Sequence, residues 1–177
     1  MKLDITQILN GKEREMTFPI SLDPASGLFD EYLPEDVILH FVGGEIVVTD
    51  RGEYINVEVS PAAEYEIPCS RCLAPVKDVL ECTFERIIPS GGRFTVTEDL
   101  CDEEDILTVV EGHVDITDDI REEIALEIPD YVLCDEDCPG LCPKCGKPLS
   151  DGDCGCSKKK EIDPRMKIFE KLLDDKE

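Results

Sequence analysis

The chain has 177 residues, with 42 acidic side chains against 18 lysines and arginines and a net charge of -24 at neutral pH. Such a body repels phosphate backbones and anionic membrane surfaces, which excludes an ordinary basic nucleic-acid-binding domain and favours a positively charged partner. Aliphatic and β-branched runs through the first two thirds exclude a disordered acidic protein, and the length suffices for one hydrophobic core.

The amino terminus has no apolar signal-like region, and no run approaches the roughly 18 apolar residues of a membrane span. The sequence therefore reads as a soluble, cytoplasmic chain. Its 10 cysteines are expected to stay reduced there, which points to metal rather than disulfides.

In chain order, residues 14 to 22 alternate loosely around Met16, Phe18 and Ile20 and predict a first strand. Pro24, Ser26 and Gly27 mark a turn. The apolar stretch Val37 to Val48, interrupted by Gly43-Gly44, predicts a hairpin or a bulged long strand. Tyr54 to Val59 alternates with period two and sets Ile55, Val57 and Val59 on one face. A further strand from Val76 to Ile88 places Leu80, Cys82, Phe84 and Ile88 on one side. The first half is thus mostly antiparallel β, and the strand count favours a curved or barrel-like sheet. Six acids in residues 98 to 105 read as a solvated loop.

One clear helix follows, over about 116–128. Ile116, Ile120, Ile124 and Ile128 recur every four residues, Asp115 or Thr117 is positioned to cap it, and Pro129 stops it. Beyond it the composition shifts to Cys, Gly, Pro and Asp, and nothing in 133–157 would bury enough side chains to fold unaided. That is the character of a metal-organised segment. Residues 158–177 differ again. Seven basic residues and six acids leave this tail at +1 and the rest of the chain at -25. Asp163-Pro164 followed by Met166, Phe169, Leu172 and Leu173 predicts a short amphipathic helix. The fold class expected is α+β: the sheet and one main helix as a core over 1–132, the cysteine-rich segment over 133–157, and the basic tail over 158–177. No internal repeat is apparent.

Eight cysteines fall into four close pairs: Cys69 with Cys72, Cys134 with Cys138, Cys142 with Cys145, and Cys154 with Cys156. Zinc takes four soft ligands at tetrahedral angles, and two cysteines three positions apart reach one ion from a tight turn. Cys142-Pro-Lys-Cys145-Gly146 has the form of such a knuckle, and Cys154-Gly-Cys156 lies near enough to close it. Cys69 and Cys72 are then left to meet Cys134 and Cys138, giving two structural zinc ions. A single site drawn from the six C-terminal cysteines is the rival arrangement. Four thiolates also hold iron–sulfur clusters, but the knuckle spacing favours zinc. Cys82 reads as a small core hydrophobe, Cys101 as a thiol held protonated by its acidic neighbours, and His40 and His113 as structural or exposed.

No Ser–His–Asp arrangement, phosphate-binding glycine loop or nucleotide fingerprint occurs. A zinc held by four thiolates also keeps no open position for a catalytic water. The sequence is accordingly read as non-enzymatic, with no catalytic and no small-molecule cofactor residues.

The stretch Cys69-Ser-Arg-Cys72-Leu-Ala-Pro75, the helix Asp118 to Pro129, the run Cys134 to Gly146, Cys154-Gly-Cys156 and Glu161-Ile-Asp-Pro-Arg165 together resemble the YceD family, whose members are described as large ribosomal RNA subunit accumulation proteins. The resemblance spans nearly the whole chain, with the full cysteine set. It implies a bacterial cytoplasmic protein that supports accumulation of large-subunit (23S) ribosomal RNA and works near a large-subunit ribosomal protein. It brings no catalytic residues. Joined to the acidity, it suggests a ribosome-biogenesis factor that binds a basic ribosomal protein or pre-ribosomal particle. The alternative is direct RNA binding through the zinc segment and Lys158-Lys159-Lys160.

Overall fold

The structure is a computed structural model, and it describes residues 1–89 and 105–156. The predicted helix of the tail, its three lysines, Cys101 and nearly all of the acidic run lie outside the described residues.

A sheet dominates. Strand β2 (Glu15–Leu22) pairs antiparallel with β3 (Ile38–Asp50), and β3 pairs antiparallel with β4 (Tyr54–Pro68). On its other side β4 carries both β5 (Pro75–Glu81) and β6 (Phe84–Pro89). The predicted strand over 76–88 thus becomes two, on one unbroken register: Ala62 faces Glu81 and Val59 faces Phe84. The ladder lapses at Cys82 and Thr83 because the residue opposite Cys82 is Pro61. Its carbonyl accepts from the Cys82 N–H at 3.2 Å, but a proline has no N–H to return the bond.

The odd positions of β4 are buried from Ile55 through Val57, Val59, Ala63, Tyr65 and Ile67, well beyond the six residues whose alternation predicts it. Strand β3 runs straight through Gly43-Gly44, and its bulge lies instead between Leu39 and Phe41. The glycines answer to close approach. A Cβ on Gly44 would sit 2.1 Å from the Ser60 carbonyl oxygen, and one on Gly43 would strike the Phe41 ring. Among the described residues the strand order is an open path from β2 to β5, and no pairing closes it into a barrel.

A second, two-stranded sheet joins the chain's start to the segment ahead of the main helix. Strand β1 (Lys2–Asp4) lies antiparallel to β7 (His113–Asp115). Each leads through the same tripeptide, Asp-Ile-Thr, into a helix: α1 (Thr6–Leu9) after Asp4, α2 (Thr117–Glu127) after Asp115. In both, the aspartate Oδ1 accepts from the threonine N–H and hydroxyl, at 3.0 and 2.5 Å for Thr6 and at 3.1 and 2.5 Å for Thr117. The isoleucine N–H groups also bond across the pair, Ile5 to the Gly112 carbonyl and Ile116 to that of Met1. The unit has an approximate local two-fold, which no periodicity in the sequence announces.

Ile116, Ile120 and Ile124 are fully buried and lay α2 on the inner face of the sheet, with Ile128 behind them. Burying such a side chain contributes about 1.5–3 kcal/mol. Arg86 on β6 anchors the same contact, donating to Asp119 at 2.7 Å and to Asp105 at 3.4 Å. No helix of the described residues is long and apolar enough to cross a membrane.

Candidate metal centres

The hairpin that joins β4 to β5 is built around Cys69 and Cys72. Continuing the odd-in alternation of β4 past Pro68 delivers Cys69 to the buried face, where it is fully covered, and the turn then brings Cys72 beside it. The Cys69 N–H bonds to the Ala74 carbonyl at 2.8 Å, and the Leu73 N–H returns to the Cys69 carbonyl at 2.9 Å, with Leu73 at a φ of 62°. The turn at Cys142 repeats this geometry residue for residue. Its N–H bonds to the Lys147 carbonyl at 2.9 Å, the Gly146 N–H to the Cys142 carbonyl at 2.8 Å, and Gly146 has a φ of 72°. Glycine takes that left-handed position at no cost. Leucine does not, and here its side chain stands in solvent.

The eight cysteines gather into two groups of four. Cys69, Cys72, Cys134 and Cys138 form one; Cys142, Cys145, Cys154 and Cys156 form the other, and within each group all sulfurs lie within 4.8 Å of one another. In the first group Cys69 Sγ is 3.8 Å from Cys138 Sγ, and Cys72 Sγ is 3.5 Å from Cys134 Sγ. Tetrahedral Zn–S bonds of about 2.3 Å put sulfurs roughly 3.8 Å apart, so the spacing fits a four-thiolate ion. The Arg71 and Cys134 N–H groups point at Cys69 Sγ, at 3.5 and 3.4 Å, as they do toward a thiolate.

The first group is tied to the β4–β5 hairpin by hydrogen bonds and packing. The Ser70 N–H bonds to the Val132 carbonyl at 2.8 Å, Arg71 donates to the Cys138 carbonyl at 3.1 Å, and Val76, Leu133 and Leu141 pack around the sulfurs. Gly140, at a φ of 75°, lets the chain pass between the groups; a Cβ there would meet the Arg71 carbonyl at 3.3 Å. The second group is more open, with only Cys142 buried.

Charge is unevenly shared within each group. Burial opposes ionisation of Cys69, but the N–H groups of Arg71, Cys134 and Cys72 outweigh it and bring the thiol down to about 6. The Lys144 and Cys145 N–H groups bring Cys142 to about 6 as well. Crowding does the opposite to Cys134 and Cys156. Hydrogen bonds with Cys72 and Cys138 hold Cys134 up at about 12, and those with Cys145 and Cys154 hold Cys156 at about 12. Sulfurs this close cannot all ionise alone; a divalent cation among them would absorb the charge and bring all four to thiolate.

The remaining candidates stand apart from these groups. Cys82 is half-buried, and burial pushes its thiol up to about 11. His40 is exposed and bonded to Glu66 at 3.2 Å, and His113 lies exposed on β7.

Three comparisons bear on this arrangement. A family model described as large ribosomal RNA subunit accumulation protein YceD matches residues 57–173, from within β4 through both cysteine groups. The protein YlbN of Bacillus subtilis is 32% identical over 127 residues, 70% of this chain and 69% of its own length. Rv2926c of Mycobacterium tuberculosis is 28% identical over 145 residues, 75% of this chain and 68% of its own, and ML1660 of Mycobacterium leprae is 29% identical over 121 residues. No solved structure matches the chain.

Proposed function

The chain belongs to the YceD family, and on that premise we propose that it is a non-enzymatic ribosome-biogenesis factor. It supports accumulation of large-subunit ribosomal RNA by binding a basic ribosomal protein, or a basic region of a pre-ribosomal particle. The observation that carries this reading is the family's link to the large ribosomal subunit on a body of charge -25. Such a body contacts the ribosome most readily through its cationic proteins. Cys69, Cys72, Cys134 and Cys138 hold one zinc in this reading, and Cys142, Cys145, Cys154 and Cys156 a second. Each ion supplies structure, not catalysis: four thiolates fix the chain around it and leave no position for substrate. They also deepen the acidity, because a zinc with four thiolates has a formal charge of about -2.

The test is binding of the zinc-loaded chain to individually purified large-subunit ribosomal proteins in low and high salt. At least one is expected to bind, and its affinity to fall steeply between 50 and 300 mM salt, because exposed charges are screened within about 10 Å at 0.1 M. Binding indifferent to salt would refute docking through the acidic surface.

A further inference from the structure

The outer face of α2 differs from the rest of the acidic surface. Leu126 is 80% exposed, more than any other large hydrophobic side chain of the described residues. It borders a shallow groove of about 420 Å³ between α2 and the loop before β3, lined by Glu31, Tyr32, Glu122, Ala125 and Leu126. Tyr32 is held in place by the Arg121 guanidinium, 4.6 Å over its ring, and that guanidinium is in turn bonded to Asp118 at 2.9 Å. The Arg121 charge beside the groove is therefore paired within the helix. None of the described ion pairs engages Glu31, Glu122, Glu123 or Glu127. The groove is thus lined by the apolar surfaces of Tyr32, Ala125 and Leu126 together with the carboxylates of Glu31 and Glu122.

We propose that this groove is the docking site for a basic partner, taking a segment that sets an apolar side chain on those apolar surfaces and arginine or lysine against Glu31 and Glu122. This rests on the functional reading above and narrows it, from an acidic surface at large to one place on it. Charge complementarity selects the occupant. A nucleic acid would bring phosphates against those carboxylates. A second copy meeting this one face to face would bring the carboxylates of Glu31 and Glu122 against like charges, which repel. A basic segment meets neither obstacle, and an apolar patch beside a polar rim is the ordinary anatomy of an interface.

The experiment uses the zinc-loaded full chain and the purified large-subunit ribosomal protein that binds it best. Leu126→Asp adds negative charge while removing the anchor. Diffuse attraction predicts unchanged or tighter binding, and the groove predicts a loss of about tenfold or more. Leu126→Gln, which keeps charge and helix propensity, is expected to weaken binding in the same direction. Glu31→Lys with Glu122→Lys is expected to cost about tenfold more than Glu45→Lys with Glu58→Lys, an equal charge change at exposed sites on the opposite face of the sheet. Circular dichroism checks the fold of each variant. If Leu126→Asp binds as well as the parent, or the two charge pairs cost the same, the groove is overturned while the acidic reading stands. If no ribosomal protein binds the parent, both fall. If sedimentation shows a dimer that Leu126→Asp dissociates, the groove belongs to a second copy and the basic-partner proposal is overturned.

Discussion

Asp115 holds the start of α2 by accepting three hydrogen bonds on one oxygen, from the Thr117 hydroxyl and N–H and from the Met1 ammonium. The Thr117 hydroxyl and that ammonium, with the Thr117 N–H, carry its carboxyl down to about 2 from an ordinary 3.8. A depressed carboxylate stabilises the fold above its unfolded value, so this contribution is complete above about pH 4 and is lost as pH falls towards 2. Asp115→Ala is expected to cost about 1 kcal/mol at pH 7, the order of a helix cap, although Asp115 acts from the position before the N-cap, Ile116. In urea titrations the gap between the variant and the parent should close between pH 4 and pH 2; a gap that persists at pH 2 would exclude the carboxylate as its source. The sequence marks Asp115 and Thr117 plainly, because isoleucines at helical spacing run from Ile116 between them to Ile128. It does not mark Asp4 and Thr6, since α1 has only four residues and no periodicity to announce it. The kinship of the two Asp-Ile-Thr units shows only when β1 and β7 lie side by side.

At the scale of elements, β6 and α2 meet through Arg86 and Asp119, both less than a fifth exposed. The Arg86 guanidinium also lies 4.7 Å over the Phe84 ring. Arg86→Ala would strand the Asp119 carboxylate against the sheet, at an expected cost of about 3 kcal/mol, whereas the double change Arg86→Met with Asp119→Leu should recover much of it. Denaturant midpoints of the two variants measure this; equal losses would mean that packing, not the charge pair, holds the contact. The sequence places both residues on the right elements but leaves them 33 positions apart, so nothing local pairs them. The single strand expected over 76–88 is legible in its register and in the faces of Leu80, Phe84 and Ile88. Its interruption is not, because the cause is Pro61, which becomes its partner only after the sheet has assembled.

For the whole molecule, the two cysteine groups differ in how much of the chain each one joins. The first ties the β4–β5 hairpin to a segment more than 60 residues later, and the second closes a loop on itself within 142–156. Cys142→Ser is expected to lose one zinc by native mass spectrometry and to raise amide exchange after residue 140, with the sheet unchanged. Cys69→Ser is expected to lose the other and to free residues 132–138 from the hairpin. Zinc binding in small fingers contributes about 10–16 kcal/mol, far more than those short segments supply by packing. If either variant keeps two ions, that group is not a site. Several properties of the molecule follow from the sequence alone. The acidity, the β-rich first half, the isoleucine stripe of α2 and the four cysteine pairs are each written in composition or in a spacing of a few residues. That is the range over which periodicity and turn chemistry act. Tertiary structure decided what distance hides: among the described residues an open strand path where strand count suggested a curved or barrel-like sheet, a bulge at His40 rather than at the glycines, and a local two-fold at the chain's start. It also decided the grouping of the sulfurs, which spacing alone leaves open. The alternation of β4 carries Cys69 inward to the place where residues 132–138 arrive, and only a folded sheet can bring the two together.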